Sequence, residues 1–304
     1  MLDVLRIATR KSPLAMWQAH HVRDTLLSLY PDLTVELVGM TTEGDRILDQ
    51  PLADIGGKGL FIKELEHALY EDRADIAVHS MKDVPAELPD GLTIAVYMRR
   101  EDPRDAWVSD RYPAFADVEA GASIGTSSLR RRGQLLAMRS DITVTDMRGN
   151  VGTRLKKLRA GDCDGLILAA AGLKRLGMAE LIGDVFEADA MIPAVGQGIM
   201  GIECRGDRDD LVEMLAPLND DVSARCIRAE RAMSHRLECD CHAPVAGHAR
   251  QTGDTMTLTG LVAMADGTRV LTDTASGPAG APEQLGRDLA GLLLDQGAAG
   301  LIKP

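Results

Sequence analysis

The sequence predicts an α/β protein built from more than one sheet, and three observations predict it. Short apolar runs of strand length alternate with stretches of helical spacing. Hydrophobic residues make up 45% of the chain and aromatic ones 3%, so well-buried cores of Leu, Ile, Val, Ala and Met are expected. The 304 residues suggest about two domains, with room for a third.

Leu5 to Ala8 reads as a strand. Ser12-Pro13 follows as an N-cap with proline at the first helical position. Ala15, Ala19, Val22, Leu26 and Leu29 then fall on one helix face. Thr34 to Val38 is the next strand. Thr41 to Gly59, polar and ending in GGKG, reads as a mobile loop. Phe61 to Tyr70 is helical, and Ile76 to Val78 is a short buried strand from which HSMKDVP runs on.

The segment REDPRDAWVS, Arg100 to Ser109, combines charge with proline and reads as a crossover into a second domain. There the alternation repeats: strand at Ile124, helix from Ser128 to Met138, strand from Ile142 to Thr145, helix from Val151 to Arg159, strand from Gly165 to Ala169. PAVGQG, Pro193 to Gly198, reads as the return crossover, with Glu213 to Leu218 back in the first domain. A long helix from Asp220, with Ile227, Met233 and Leu237 inward, leads to Cys241. Period-two alternation over Thr255 to Val262 and Arg269 to Thr274 predicts antiparallel strands, closed by a helix from Leu285 to Leu294. The division expected is 1–99 plus 199–217, then 100–198, then 218–304.

A net charge of −12 argues against non-specific nucleic-acid binding. No apolar run approaches the roughly 20 residues of a membrane helix. The N-terminal residues lack a secretory pattern. Five cysteines at irregular spacing make no disulfide framework, so a reduced, cytoplasmic protein is expected.

The basic residues contradict the global charge. Arg130, Arg131, Arg132, Arg139, Arg148, Arg154 and Arg159 crowd one short stretch. Arg130, Arg131, Arg148 and Arg154 lie where strands hand over to helices, a position that favours anions. Thr126, Ser127, Ser128, Asn150 and Thr153 add polar groups, and Gly149 sits among them. Arg10, Lys11 and Ser12 repeat the arrangement at the first strand end, and Arg175 is a further candidate. Arg132, Arg139 and Arg159 read instead as a solvated face. Arginine's planar fork binds carboxylates bidentately. Ligands of open α/β sheets sit beyond the carboxyl ends of the strands. Two such sheets joined by two crossovers would face each other across a cleft lined by these arginines. Taken alone, this predicts a protein that binds a carboxylate- or phosphate-bearing ligand between two domains.

Asp83 follows Ser80 and Lys82 at a strand end, where an aspartate ordinarily caps a helix. Cys239-Asp240-Cys241-His242 is compatible with a metal site. However, it lacks the second ligand pair that zinc sites usually carry, and no metal is expected. A buried structural cysteine is the plainer reading of any one thiol.

These segments together resemble the porphobilinogen deaminase family, from RIATRKSPLA through IGGKGLF, HSMKDVP, GTSSLRRR and RGNVGTRL to RLECDCHAP. The resemblance implies three α/β domains, the first two like periplasmic binding proteins with a cleft between them. The third is a small α+β domain with an antiparallel sheet. It implies a transferase that joins four porphobilinogen molecules head to tail, releasing ammonia and yielding hydroxymethylbilane. It further implies a dipyrromethane cofactor held as a thioether by Cys241, selected by the Cys-x-x-Pro register. Asp83 would be the catalytic carboxylate, stabilising a positively charged azafulvene. Lys82, Asp83, Thr126, Ser127, Ser128, Arg130, Arg131 and Gly149 would hold the cofactor. Arg10, Ser12, Lys58, Phe61, Ser80, Arg148, Arg154 and Arg175 would hold substrate. Arg236 and His242 would favour the thiolate. The family commonly has two small residues before the cysteine; here they are Cys239 and Asp240. Family members are usually monomers. Two rival readings belong to other classes: a non-catalytic two-domain anion-binding protein, and a zinc hydrolase centred on the CDCH run.

Overall fold

The computed structural model describes residues 2–46, 59–239 and 243–302, arranged on three sheets. Strands β1 (Val4–Arg10), β2 (Thr34–Met40), β3 (Ile76–Ser80), β4 (Leu92–Tyr97) and β10 (Met200–Arg205) form the first, in the order β2-β1-β3-β10-β4. Strands β5 (Asp105–Val108), β6 (Ser123–Gly125), β7 (Thr143–Thr145), β8 (Gly165–Ala169) and β9 (Asp184–Val185) form the second, in the order β7-β6-β8-β5-β9. The two share one plan. Three strands are parallel, and the fourth position is taken by an antiparallel strand, β10 or β5. In each case that strand is the one the crossover delivers. The third sheet is an antiparallel meander of β11 (Val245–Thr252), β12 (Thr255–Ala263) and β13 (Val270–Pro278).

Local chemistry explains the helices that frame these sheets. Helix α1 (Pro13–Leu29) opens on Ser12, whose hydroxyl accepts from the Ala15 amide at 3.4 Å, with Pro13 in the first turn. Ala15, Ala19, Val22 and Leu26 are buried, but Leu29, expected on the same face, is exposed in the last turn. The short α2 (Glu43–Arg46) stands where a loop was expected; Thr42 and Gly44 beside it are buried. Helix α3 spans Lys63–Tyr70, so Phe61 lies in the turn before it rather than inside it. In the second unit, α4 (Leu129–Met138), α5 (Val151–Arg159) and α6 (Ala170–Arg175) alternate with strands. Helix α7 (Asp209–Leu215) returns to the first sheet, and its Met214 and Leu215 join the core of Leu5, Ile7, Val22 and Leu26. Each such fully buried side chain contributes about 1.5–3 kcal/mol.

Helix α8 (Asp221–Arg236) and α9 (Pro282–Asp295) cover the third sheet, and α10 (Ala299–Ile302) ends the described chain. Gly286 lets α8 and α9 touch: a Cβ there would lie 2.2 Å from the Ala229 carbonyl oxygen. Ile227, Met233 and Leu237 are buried, as the spacing predicts. The segment expected to be wholly a crossover also contains β5. Strands β4, β10 and β11 were not foreseen; β11, VAGHARQT, carries too much Gly, His and Arg to read as a strand by itself.

Candidate functional site

A cavity of about 610 Å³ opens between the carboxyl ends of the first two sheets. Nine basic residues line it: Arg10, Lys11, Lys82, Arg130, Arg131, Arg132, Arg148, Arg154 and Arg175. The acids are three: Asp45, Asp83 and Asp146. This excess of cations lies inside a chain whose net charge is −12. It marks the cavity as a site for a ligand carrying several anionic groups.

Each cation is brought there by a strand end. Arg10 closes β1, and its Nε donates to Asp45 at 3.1 Å. Its guanidinium stacks 4.3 Å from the centroid of Phe61. Phe61 rests against Gly44, where a Cβ would meet the ring at 2.3 Å. Strand β3 ends at Ser80, whose hydroxyl accepts from Gln18 at 2.9 Å. The chain then tightens into a 3₁₀ turn over Met81–Asp83, which no side chain caps. Asp83 makes no hydrogen bond or ion pair among the described residues, so the capping reading fails and the carboxylate is left on the cavity wall.

Lys82 is the most perturbed neighbour. Burial pushes its ammonium down to about 8, Arg131 adds to the effect, and Asp83 opposes it. Burial likewise pushes Arg154 down to about 10, with Arg131 beside it and Asp83 opposing. The Arg154 Nε donates to the Gly149 carbonyl at 2.8 Å. Gly149 has φ +111° and packs on Thr153, so no other residue fits there without strain. Arg175 is pushed down to about 10 by burial, with only Glu101 opposing, and it donates to the Gly198 carbonyl at 2.7 Å. Arg148 is lowered by burial too. All remain cations at neutral pH. Their common direction reflects burial, to which neighbouring arginines add at Lys82 and Arg154.

Arg130 and Arg131 differ from the rest. Both are at least nine-tenths buried and both pair at 2.7 Å with Asp105, which is fully buried at the start of β5. Arg130 also donates to the Ile192 carbonyl and Arg131 to the Ile167 carbonyl. Gln197 completes the set, donating to Asp105 at 2.8 Å. Burial alone would raise the Asp105 carboxyl, but the two guanidiniums hold it well below the usual carboxylate range. The arginines are therefore pinned from behind, and their free edges form part of the cavity lining.

Most sequence-predicted residues meet in this cavity. Arg10, Ser12, Phe61, Ser80, Lys82, Asp83, Ser127, Ser128, Arg130, Arg131, Arg148, Gly149, Arg154 and Arg175 all line it. Thr126 does not; it is buried, and its hydroxyl accepts from the Ser128 amide. Arg132, expected on a solvated face, lines the cavity with its Nε buried and unpaired. Arg139 pairs with Asp141 and Arg159 is exposed, both as expected. Lys58 and Cys241, with Asp240 and His242, lie outside the described residues, and so does most of the expected loop, 47–58. A smaller cavity is lined by Cys239 and Ala243, which bracket Cys241 in sequence, and by Lys82, Ala194 and Arg231. Lys82 and Ala194 also line the large cavity. Asp45, Asp105 and Gln197 were missed because their role depends on partners 25 to 92 residues away.

The donors fit a polycarboxylate cofactor of modest size. Among the described residues no group of His, Cys, Asp and Glu could hold a metal ion, and no helix is long and apolar enough to cross a membrane. Comparison with known proteins agrees with the site. Residues 5–213 match the family described as porphobilinogen deaminase, dipyromethane cofactor binding domain, and residues 224–295 match porphobilinogen deaminase, C-terminal domain. A porphobilinogen deaminase of Chromobacterium violaceum is 54% identical over 99% of this chain and 97% of its own length. One of Thiobacillus denitrificans is 53% identical over 99% and 98%. Among solved structures, the methionine-binding protein MetQ is similar at 12% identity and TM-score 0.47, covering 71% of this chain and 89% of that one.

Proposed function

The chain belongs to the porphobilinogen deaminase family, and from that premise we propose how its own residues divide the work. The enzyme is a transferase that joins four porphobilinogen molecules head to tail, with loss of ammonia, on a dipyrromethane primer. Our reading assigns Asp83 as the catalytic carboxylate and Cys241 as the point of primer attachment. The observation that carries it is a carboxylate with no ion pair or hydrogen bond among the described residues, set into a wall of surplus cations.

The residue types suit the reaction. Porphobilinogen carries an acetate and a propionate, so every added ring brings two anions that need forks to hold them. Loss of ammonia from its aminomethyl carbon leaves a cation conjugated with the pyrrole nitrogen. Asp83 accepts the pyrrole N–H and offsets that cation, which a neutral amide does far less well. Because Asp83 has no ion pair or hydrogen bond among the described residues, its charge is available to the substrate. Lys82, Ser127, Ser128, Arg130, Arg131 and Gly149 are assigned to the primer, with Thr126 supporting Ser128 from behind. Arg10, Ser12, Lys58, Phe61, Ser80, Arg148, Arg154 and Arg175 are assigned to incoming and growing rings. When bound, the primer supplies the nucleophilic pyrrole carbon to which the first substrate is joined.

The domain division we propose is 1–99 plus 199–217, 100–198, and 218–304. Both crossovers then run beneath the cavity. The buried, free Cys163, Cys204 and Cys226 favour a reducing, cytoplasmic setting. We propose a monomer, as is usual in the family.

The intact mass of the purified protein tests the attachment. The parent and Cys239→Ser should both carry a covalent pyrrole adduct, and Cys241→Ser should be folded without it, because a hydroxyl is far less nucleophilic than a thiolate. An adduct kept by Cys241→Ser and lost from Cys239→Ser would reverse the assignment.

A further inference from the structure

Behind the active-site turn lies a cluster of acids that the reaction does not use. His79, the residue before Ser80 on β3, meets Glu203 of β10 at 2.9 Å, Nε2 to Oε2. Both side chains are almost fully buried. Glu66 is 5% exposed on α3, which packs on both β3 and β10, and it feels the charges of Glu203 and His79. Glu66 Oε1 and Glu203 Oε1 are buried without a hydrogen-bond partner. The imidazole serves Glu203 alone, and two buried carboxylates with so few donors cannot both be anions at ordinary cost. A proton on one of them supplies the donor that the cluster lacks.

We propose that Glu66 and Glu203 share one proton, and that this proton docks α3 against β3 and β10 and so positions the Asp83 turn and Phe61. The connections are short. Asp83 is four residues beyond His79, and Phe61 is two residues before α3. Leu65, Ala68 and Leu69 of α3 pack on Ala8 and Ala77 in the same layer, so a charged Glu66 would push against an otherwise apolar contact.

The surrounding charges agree. Burial, followed by the charge of Glu203, raises the Glu66 carboxyl to about 7, while His79 and Lys63 oppose it. Tyr70 on the same helix is itself raised by burial and by Glu66. From β1, Arg6 and Arg10 are already engaged by Asp75 and Asp45. From β10, Cys204 is buried and raised to about 11. Arg231 of α8 feels Glu203 but donates to the carbonyls of Val84 and Ala86. Among the described residues no cation makes an ion pair with Glu66, and Lys63 acts on it only at a distance. The sign follows: Glu66 holds its proton in the folded state and loses it more readily unfolded. Stability therefore falls as pH rises from the ordinary carboxyl range through about 7.

The functional part of the proposal rests on the reading of Asp83; the shared proton does not. Infrared spectroscopy of the holoenzyme should show a protonated-carboxyl band below neutral pH that titrates away near 7 and is missing in Glu66→Gln. Thermal unfolding of Glu66→Gln should lose the downward slope with pH that the parent shows. Its turnover, measured across neutrality, should fall off at higher pH than the parent's, by about one unit or more. Glu66→Met, which cannot ionise, should match Glu66→Gln in both pH profiles. A parent without the band, or variants with the parent's pH slopes, would overturn the proposal. If Asp83→Asn leaves turnover intact, the Asp83 reading fails while the infrared band still judges the cluster.

Discussion

Asp83 is defined by what it lacks. Its neighbours Asp45 and Asp105 are each neutralised by arginine, whereas Asp83 has no ion pair or hydrogen bond among the described residues. A carboxylate left open in this way keeps its charge for a cation that forms during the reaction. Asp83→Asn should therefore keep covalent primer and fold but lose about 10²–10⁴-fold in turnover, measured with porphobilinogen under saturating conditions. Turnover within a few-fold of the parent would remove Asp83 from the chemistry. Lys82 shows the complementary logic: burial among arginines weakens its hold on a proton, and an anionic ring side chain would strengthen it.

At the scale of elements, α4 and α5 present arginines in two different ways. Arg130 and Arg131 enter from the first turn of α4 and are fixed by Asp105, the first residue of β5. Arg148 and Arg154 flank the start of α5 instead, where Arg154 donates to the Gly149 carbonyl and burial lowers both guanidiniums. Their mutants should fail differently. Arg131→Leu leaves the buried Asp105 with Arg130 and Gln197 only and should lose about 1–3 kcal/mol of stability as well as primer, read by thermal unfolding and intact mass. Arg148→Leu leaves Asp105 and its partners in place and should carry primer, yet stall with fewer rings attached after mixing with porphobilinogen. Equal stability in both variants would show that Asp105 does not depend on Arg131.

On the scale of the whole molecule, one buried carboxylate joins three parts. Glu230 of α8 receives both terminal nitrogens of Arg100, at 2.8 and 2.7 Å, from the outgoing crossover. It also accepts the Gly196 amide of the return crossover and the Ala249 amide of β11. These four donors saturate a carboxylate. His248 lies against the same pair, pushed down to about 4 by burial, so it stays neutral at ordinary pH and does not compete for Glu230. Glu230→Ala should cost about 3–5 kcal/mol by leaving Arg100 buried and unpaired. Unfolding should also become less cooperative, because both crossovers lose their common anchor; calorimetry would show broadened or split transitions. A single transition at the parent's temperature would mean that the crossovers hold without it.

The local patterns of the chain were enough to determine its alternating α/β order, the Ser12-Pro13 helix start, the arginine-bearing strand ends and the third, antiparallel sheet. They determine these because helix caps, period-two and period-3.6 spacing, and strand-to-helix handovers act within a few residues. The motifs around Asp83 and Cys241 identified the family for the same reason. Only the tertiary structure decided which arginines the buried Asp105 holds. Arg130 and Arg131 look like Arg148 in sequence, yet Asp105, 25 and 26 residues away, separates them. Arg132 looked solvated until the sheets placed it on the cavity wall. Strand β10 takes its place only because a crossover returns it between β3 and β4. Glu66, His79 and Glu203 are spread over 137 residues of sequence, and their charges meet only when helix and sheet bury them together. Burial and charge pairing depend on distances through space, which no local pattern encodes.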